Sequence, residues 1–281
     1  MLHVGANGCV HPIFTHDPST LCLRVRPDLL NLPQRLRSIF CAPAGHLFWS
    51  VRYVDIETIL VGYFAGIDWM RLAGPVIKRD SDDQERGHHY NHLVHGCLTL
   101  DSPLHTQQTI FIAEQVVVPI RDIKRFQSEY FERYSAIRTW HRRVTGLDDT
   151  GNYTEQEGAH QRGWLRSPFG NVHRFFDVLS HVKGPKGWEL RYGPDAKRAV
   201  SFLPQSCARV MLTRAAQRLP SEVKSTLRLF LRDGVLGLAQ DKDVARCLLT
   251  VTEEMEHPVP ELGGLVVLTG ATSRRSWGEM V

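Results

Sequence analysis

The alternation of apolar and polar positions predicts a mixture of strands and helices. The run at 47–54 is rich in β-branched and aromatic residues and has the length of a buried strand, and 55–66 continues as a helix. The clearest amphipathic pattern covers 120–144, directly after Pro119, where apolar residues recur every three or four positions. We therefore expect one long helix there that buries a single apolar stripe.

Turn residues divide the second half of the chain into hairpins and further helices. Residues 162–178 predict a hairpin that turns at Pro168 to Asn171, and 227–240 predict a second hairpin pinched at Asp233-Gly234. The remaining predicted elements are helices at 195–218 and 241–256, a loop at 183–194 and a strand at 264–269. Because helices and strands are mixed without strict alternation, the pattern favours an α+β fold.

The composition is that of an ordinary globular protein. Of the 281 residues, 42% are hydrophobic and 23% are charged, and no apolar run approaches the roughly 20 residues needed to cross a bilayer. The chain starts without a secretion signal, and its six cysteines are scattered, so we expect the cytoplasm or another reducing intracellular compartment and no membrane partner. The net charge of +4 is compatible with a polyanionic partner without indicating one.

Four histidines cluster in one segment: His88, His89, His92 and His95. On a helix, three of them could face one side and bind zinc. Alternatively, the segment is polar surface with no metal. No cysteine or carboxylate is spaced as an obvious fourth ligand, so the sequence favours the second interpretation.

A series of short motifs runs along nearly the whole chain. They are NGCVH (7–11), PDLLNLP (27–33), RLRSIF (35–40), Ile56-Glu57, FQSEYFERYSAIRTW (126–140), RGWL with PFG (162–170), Pro204-Gln205-Ser206 and LRLFLRDGVLG (227–237). In this order and spacing they resemble the polymerase module of family A DNA polymerases. That family carries out template-directed DNA synthesis in replication and repair.

The resemblance implies a fold and a set of partners. We expect residues 1–281 to form a polymerase palm, an antiparallel sheet with helices, with a helical fingers-like subdomain inserted at roughly 70–195. We expect the thumb and exonuclease domains to be absent, so that the chain is either a fragment or one part of a split system in which a partner chain supplies them. The implied substrate is a DNA primer-template.

The catalytic motifs depart from the family pattern. The family uses two Mg²⁺ ions held by two aspartates on neighbouring strands. The second aspartate matches Asp233, but the first falls at Arg52, and Glu57 matches the family's glutamate near the sugar by position only. A guanidinium cannot ligate a cation, and at about 4 Å and an effective dielectric of about 20 it repels each unit of positive charge by roughly 4 kcal/mol. We therefore expect no metal, with Asp233 as the ligand if one binds.

The departures from the family pattern affect the nucleotide-binding positions more than the positions that contact primer-template DNA. The resemblance places the family's nucleotide-gripping positions at Leu93, Cys97, Asp101 and His105, where no lysine or arginine remains for the phosphates. The residues that match or adjoin primer-template contacts are Asn31, Arg35, Arg37, Gln205 and Arg232. Phosphate contacts tolerate changes of detail, so DNA binding is expected to outlast catalysis.

These departures lead to one structural and one functional hypothesis. We expect Arg52 and Asp233 to form a buried bidentate salt bridge where the family binds metal. A carboxylate cluster of Asp55, Glu57 and Asp233 is the alternative, although Asp55 is better interpreted as a cap of the following helix. The protein is then a polymerase-like protein with impaired or no catalysis. The alternatives are a non-catalytic DNA-binding or replication-accessory protein, or a decayed fragment.

Overall fold

The computed structural model describes residues 10, 12–16, 23–30, 32, 34–67, 90–147, 158–184 and 187–280. The chain divides into two compact units. The first unit comprises Met1–Ile56 and Ser206–Val281, and the second unit comprises Glu57–Gln205. Helices and antiparallel strands occur together, which confirms the α+β prediction.

The described strands and the described α-helices are each numbered in chain order. The strands are β1 (Ile13–His16), β2 (Leu23–Arg26), β3 (His46–Tyr53), β4 (Trp164–Arg166), β5 (Val172–Arg174), β6 (Leu179–Gly184), β7 (Gly187–Tyr192), β8 (Leu227–Phe230), β9 (Gly234–Gln240) and β10 (Thr269–Arg274). The helices are α1 (Gln34–Arg37), α2 (Ile56–Ala65), α3 (Tyr90–Leu98), α4 (Pro103–Glu114), α5 (Ile120–Arg133), α6 (Ser135–Thr145), α7 (Ala159–Arg162), α8 (Ala196–Arg218), α9 (Ser221–Lys224) and α10 (Asp241–Met255).

The first unit is built on a four-stranded antiparallel sheet in the order β10-β3-β9-β8. In β3, Trp49, Val51 and Tyr53 are buried, whereas Arg52 between the last two is exposed. Side chains alternate across a strand, so the register that buries these three residues turns Arg52 to the other face. The same register sets Arg52 opposite Gly234, the residue that follows Asp233.

Both faces of this sheet carry apolar packing. α10 packs against β3, and the Tyr53 hydroxyl donates a hydrogen bond to the Met255 carbonyl at 3.0 Å. A second apolar cluster contains Leu229, Leu236 and Trp277. Leu236 lies opposite Ser50, and Ser50 shares its side of β3 with Arg52, so this cluster belongs to the face that carries Arg52.

The second unit is mainly helical, and its central helix differs from the prediction. Residues 120–144 form two helices, α5 and α6, because Tyr134 adopts φ −122° and ψ 55°, outside the helical region. The predicted apolar stripe is confirmed, since Ile123, Tyr130, Ile137 and Trp140 are all buried. No glycine or proline marks the break, and the apolar periodicity continues across it, so nothing in the sequence indicated that the helix is interrupted.

Two further expectations are wrong. Within the segment predicted as a loop at 183–194, residues 187–192 instead form β7, which pairs antiparallel with β6, because Gly184 and Gly187 pair with each other and do not interrupt the strands. The strand predicted at 264–269 lies instead at β10, whose sequence is polar. The apolar segment before it buries Val267 without pairing as a strand, whereas β10 is a sheet edge that needs no apolar alternation.

The other predicted elements are confirmed as β3, α2, α8, α10 and the hairpins β4–β5 and β8–β9. Within the residues that the structure describes, no helix is long and apolar enough to cross a bilayer. The assignment of roughly 70–195 as a fingers-like insertion stays a prediction.

The close approach of β9 to Trp49 gives a test of this sheet. A Cβ added at Gly237 would lie 2.1 Å from a ring carbon of Trp49, so Gly237→Ala should cost about 1–3 kcal/mol of unfolding free energy, measured by urea denaturation. Gly270→Ala on β10 is the matched control, because a Cβ there meets nothing within 4 Å. Equal losses in the two variants would contradict the packing described.

Candidate functional site

Two side chains of the first unit meet at the end of the β8–β9 hairpin: Arg52 of β3 and Asp233, which lies between β8 and β9. The Tyr53 amide donates a hydrogen bond to the Asp233 carbonyl at 2.7 Å, which ties the hairpin turn to β3. Arg52 Nε lies 3.1 Å from Asp233 Oδ1 and 3.2 Å from Oδ2, and Arg52 Nη2 lies 2.8 Å from Oδ2. The predicted bidentate salt bridge between Arg52 and Asp233 is therefore confirmed.

The predicted burial of this pair is wrong. The Arg52 side chain is 50% exposed and the Asp233 side chain is 28% exposed. The neighbouring residues of β3 are buried under α10, but the face that Arg52 occupies is open at this end of the sheet. An ion pair this accessible is expected to contribute only about 0.2–1 kcal/mol, because solvent screens it.

A cleft of about 110 Å³ opens beside the pair. We call it the arginine cleft, and its charged lining is Arg37, Arg52, Arg232 and Asp233. Three guanidinium groups against one carboxylate give this lining a formal charge of +2. The cleft is thus electropositive at the place where the resemblance would require carboxylates.

The residues present do not fit Mg²⁺. Magnesium in proteins takes one or two carboxylates in a near-octahedral set of hard oxygens. Asp233 is the carboxylate of the cleft lining, and Arg52 occupies both of its oxygens. Throughout the described ranges, no group of three or more His, Cys, Asp or Glu side chains could hold a metal ion.

The ionised form of Asp55, which also lies in the first unit, is disfavoured. Its pKa is raised above the usual range, first because burial disfavours the ionised form and then because Asp233 repels it. Its φ of 47° differs from the extended backbone of a usual N-cap residue.

Glu57 and the histidines are engaged in pairs within the second unit. His95 Nε2 lies 3.2 Å from Glu57 Oε2, and His92 Nε2 lies 3.4 Å from Glu114 Oε1. His88 and His89 lie outside the described residues. The two described histidines therefore have separate carboxylate partners and do not converge on a shared ligand position.

The positions assigned to nucleotide binding are spread over two helices and the segment between them. Leu93 and Cys97 lie on α3, where burial raises the pKa of the Cys97 thiol to about 12, and His105 lies on α4. Asp101 lies between these helices with a side chain only 5% exposed, and it forms an ion pair with Lys197 of α8. Lys197 was not found from the sequence, because α8 is distant along the chain.

The residues assigned to primer-template contacts have different environments. Arg35 is exposed on α1, Arg232 is exposed at the cleft, and Gln205 is half-buried on α8. Arg37 instead supports the fold: its Nε donates to the Leu32 carbonyl at 2.9 Å, and its guanidinium lies 5.1 Å from the Trp277 ring centre. Asn31 lies outside the described residues.

Sequence reasoning missed a basic and aromatic surface on the β4–β5 hairpin. Trp164, Arg166 and Arg174 are exposed on one face, while Leu165 and His173 alternate with them on the more buried face. Arg162 and Arg166 lie 5.9 Å and 5.8 Å from the Trp164 ring centre. We call Arg162, Trp164, Arg166 and Arg174 the Trp164 face. The period-two alternation of the strands was the signal that could have found it.

No protein-family model and no curated protein matches the sequence. Among solved structures, the chain matches the POL domain of Pol1 from M. smegmatis, in complex with DNA primer-template and dNTP, with a TM-score of 0.68 over 98% of this chain. The chain has a polymerase-like fold. The two sequences are 17% identical, which supports the fold alone, and the match spans 49% of the Pol1 chain.

Two double-mutant cycles test how the ion pairs of the polymerase-like fold contribute to stability. The Arg52–Asp233 coupling, measured with Arg52→Gln and Asp233→Asn, should not exceed about 1 kcal/mol. The Asp101–Lys197 coupling, measured with Asp101→Asn and Lys197→Met, should be the larger of the two, because the Asp101 carboxylate is nearly buried. Denaturant unfolding provides both values, and the reverse order would contradict the exposures described.

Proposed function

We propose that this chain is a non-catalytic nucleic-acid-binding protein built on a polymerase-like fold. The single observation that carries the proposal is the bidentate ion pair between the Arg52 guanidinium and the Asp233 carboxylate. The alternative is template-directed DNA synthesis, the activity that the family resemblance implies.

Three features support the loss of nucleotidyl transfer. Arg52 takes the place of a metal-binding carboxylate and occupies the other one. Cys97 is buried, and Asp101 is neutralised by Lys197, so neither position offers a cation to a triphosphate. Glu57 is paired with His95. Each of these replaces an interaction with nucleotide or metal by one within the protein.

Three observations support retained binding of nucleic acid. The Trp164 face combines guanidinium groups with an exposed aromatic ring, the combination that stacks bases and neutralises phosphates along a strand. Arg35 is exposed on α1 at a position that matches a primer-template contact by resemblance. The matched Pol1 structure is itself a complex with DNA primer-template.

Primer extension tests the loss of catalysis. We expect no incorporation above background with either Mg²⁺ or Mn²⁺. Arg52→Asp alone should not restore synthesis, because the positions at Leu93, Cys97 and Asp101 still offer no cation to the triphosphate. Extension by the wild-type protein, or robust extension by Arg52→Asp, would favour the polymerase alternative.

Fluorescence anisotropy with labelled DNA across a salt series tests binding. Arg166→Gln and Arg35→Gln should each weaken binding and reduce the slope of log K against log salt by about 0.7–0.9, the value for one phosphate contact. Arg121→Gln on α5 is the control, because Arg121 is exposed and lies 3.8 Å from Asp122 without belonging to the Trp164 face. If all three variants resemble the wild type, or the wild type does not bind, the proposed function is wrong.

A further inference from the structure

The charged side chains that line the arginine cleft carry more positive than negative formal charge. Arg37, Arg52 and Arg232 line it with Asp233, which leaves the formal charge of +2. A phosphate group in its monoester form carries about −1.5 to −2 at neutral pH. The cleft volume of about 110 Å³ exceeds by several fold the roughly 10–15 Å³ that a single water requires, so a small polyatomic anion has room.

Two of the arginines keep unused donors. A guanidinium has five N–H groups. Asp233 takes the Nε–H of Arg52 and one N–H of its Nη2. The carbonyls of Leu32 and Leu30 take the corresponding groups of Arg37, at 2.9 Å and 3.4 Å. Among the residues that the structure describes, no acceptor contacts the Nη1 amino group or the second Nη2 hydrogen of Arg37 or Arg52, and the protein contacts fix the plane of each guanidinium.

The fixed donors are also held under electrostatic strain. The pKa of Arg37 is lowered, first because burial disfavours its charge and then because Arg52 repels it. Arg37 remains in place because Trp277 packs against its guanidinium and the backbone carbonyls accept its hydrogens. An anion in the cleft would relieve this repulsion, and donors that the protein already holds in place favour binding.

We propose that the arginine cleft is a binding site for a phosphate dianion, either inorganic phosphate or the terminal phosphomonoester of a nucleic-acid strand. A tetrahedral phosphate offers oxygens to several guanidinium forks at once, whereas a carboxylate offers two oxygens in one plane. The proposal is independent of the function proposed above, since the cleft can bind phosphate whether or not the Trp164 face binds a strand.

Isothermal titration of the full chain with sodium phosphate, at constant ionic strength in chloride, tests the site. We expect saturable binding that Arg52→Gln weakens at least tenfold. Asp233→Asn should strengthen binding several-fold, because it releases two Arg52 donors and removes a repelling charge. Arg246→Gln on α10 is the matched control, since Arg246 is an exposed arginine 3.3 Å from Asp243 outside the cleft, and it should bind like the wild type.

Several results would overturn the assignment. These are no saturable phosphate binding by the wild-type protein, equal losses in Arg52→Gln and Arg246→Gln, or weaker binding by Asp233→Asn. Acetate bound as tightly as phosphate would also overturn it, because the cleft would then recognise any anion. A thermal melt of each variant confirms folding, and Asp233→Asn, a nearly isosteric change, keeps the test decisive even if Arg52→Gln fails to fold.

Oligonucleotides with a 5′-phosphate, a 3′-phosphate or neither distinguish the two sources of phosphate. If the ligand is a strand terminus, one phosphorylated form should bind more tightly than the unphosphorylated strand, and Arg52→Gln should remove that difference. If the three strands bind equally while inorganic phosphate still binds, the ligand is the free ion. Phosphate binding without any strand binding would contradict the proposed function and leave this inference standing.

Discussion

The contact between the Arg52 guanidinium and the Asp233 carboxylate is the constraint on which the rest of the site depends. Arg52 lies on β3, and Asp233 directly precedes β9, the neighbouring antiparallel strand. The burial of Trp49, Val51 and Tyr53 fixes the register between these strands. That register holds whatever charge stands at position 52, because the buried positions determine it. The sheet can therefore reverse one charge of the site without losing its fold.

Fold and chemistry have separate physical origins in this chain. The packing of α10 on β3 and the buried stripe of α5 and α6 need only apolar surface in the right period. Metal chemistry instead needs particular oxygens at particular points, and a single arginine removes them. The polymerase-like fold at 17% identity illustrates the difference, since apolar patterning tolerates extensive substitution while a ligand set does not.

The sequence was informative where structure is local. Turn residues and periodicity predicted β3, α2, α8, α10 and the hairpins β4–β5 and β8–β9, and the family resemblance predicted the pairing of Arg52 with Asp233. Prediction from the sequence failed where contacts between residues distant along the chain determine the structure, as at the helix break at Tyr134 and the ion pair of Asp101 with Lys197. The burial of Arg52 was also misjudged, because strand length indicates that one face packs but not how far the opposite face is covered.

The most direct test of this account is Mn²⁺ titration followed by electron paramagnetic resonance, in the wild type, Asp233→Asn and Arg52→Asp. The account predicts that Asp233→Asn leaves the wild-type titration unchanged, because the Arg52 guanidinium already excludes the ion. It also predicts that Arg52→Asp gains a bound ion, because a carboxylate on β3 then lies beside Asp233, which directly precedes the neighbouring strand β9. A bound ion in the wild type that Asp233→Asn abolishes would contradict the central claim.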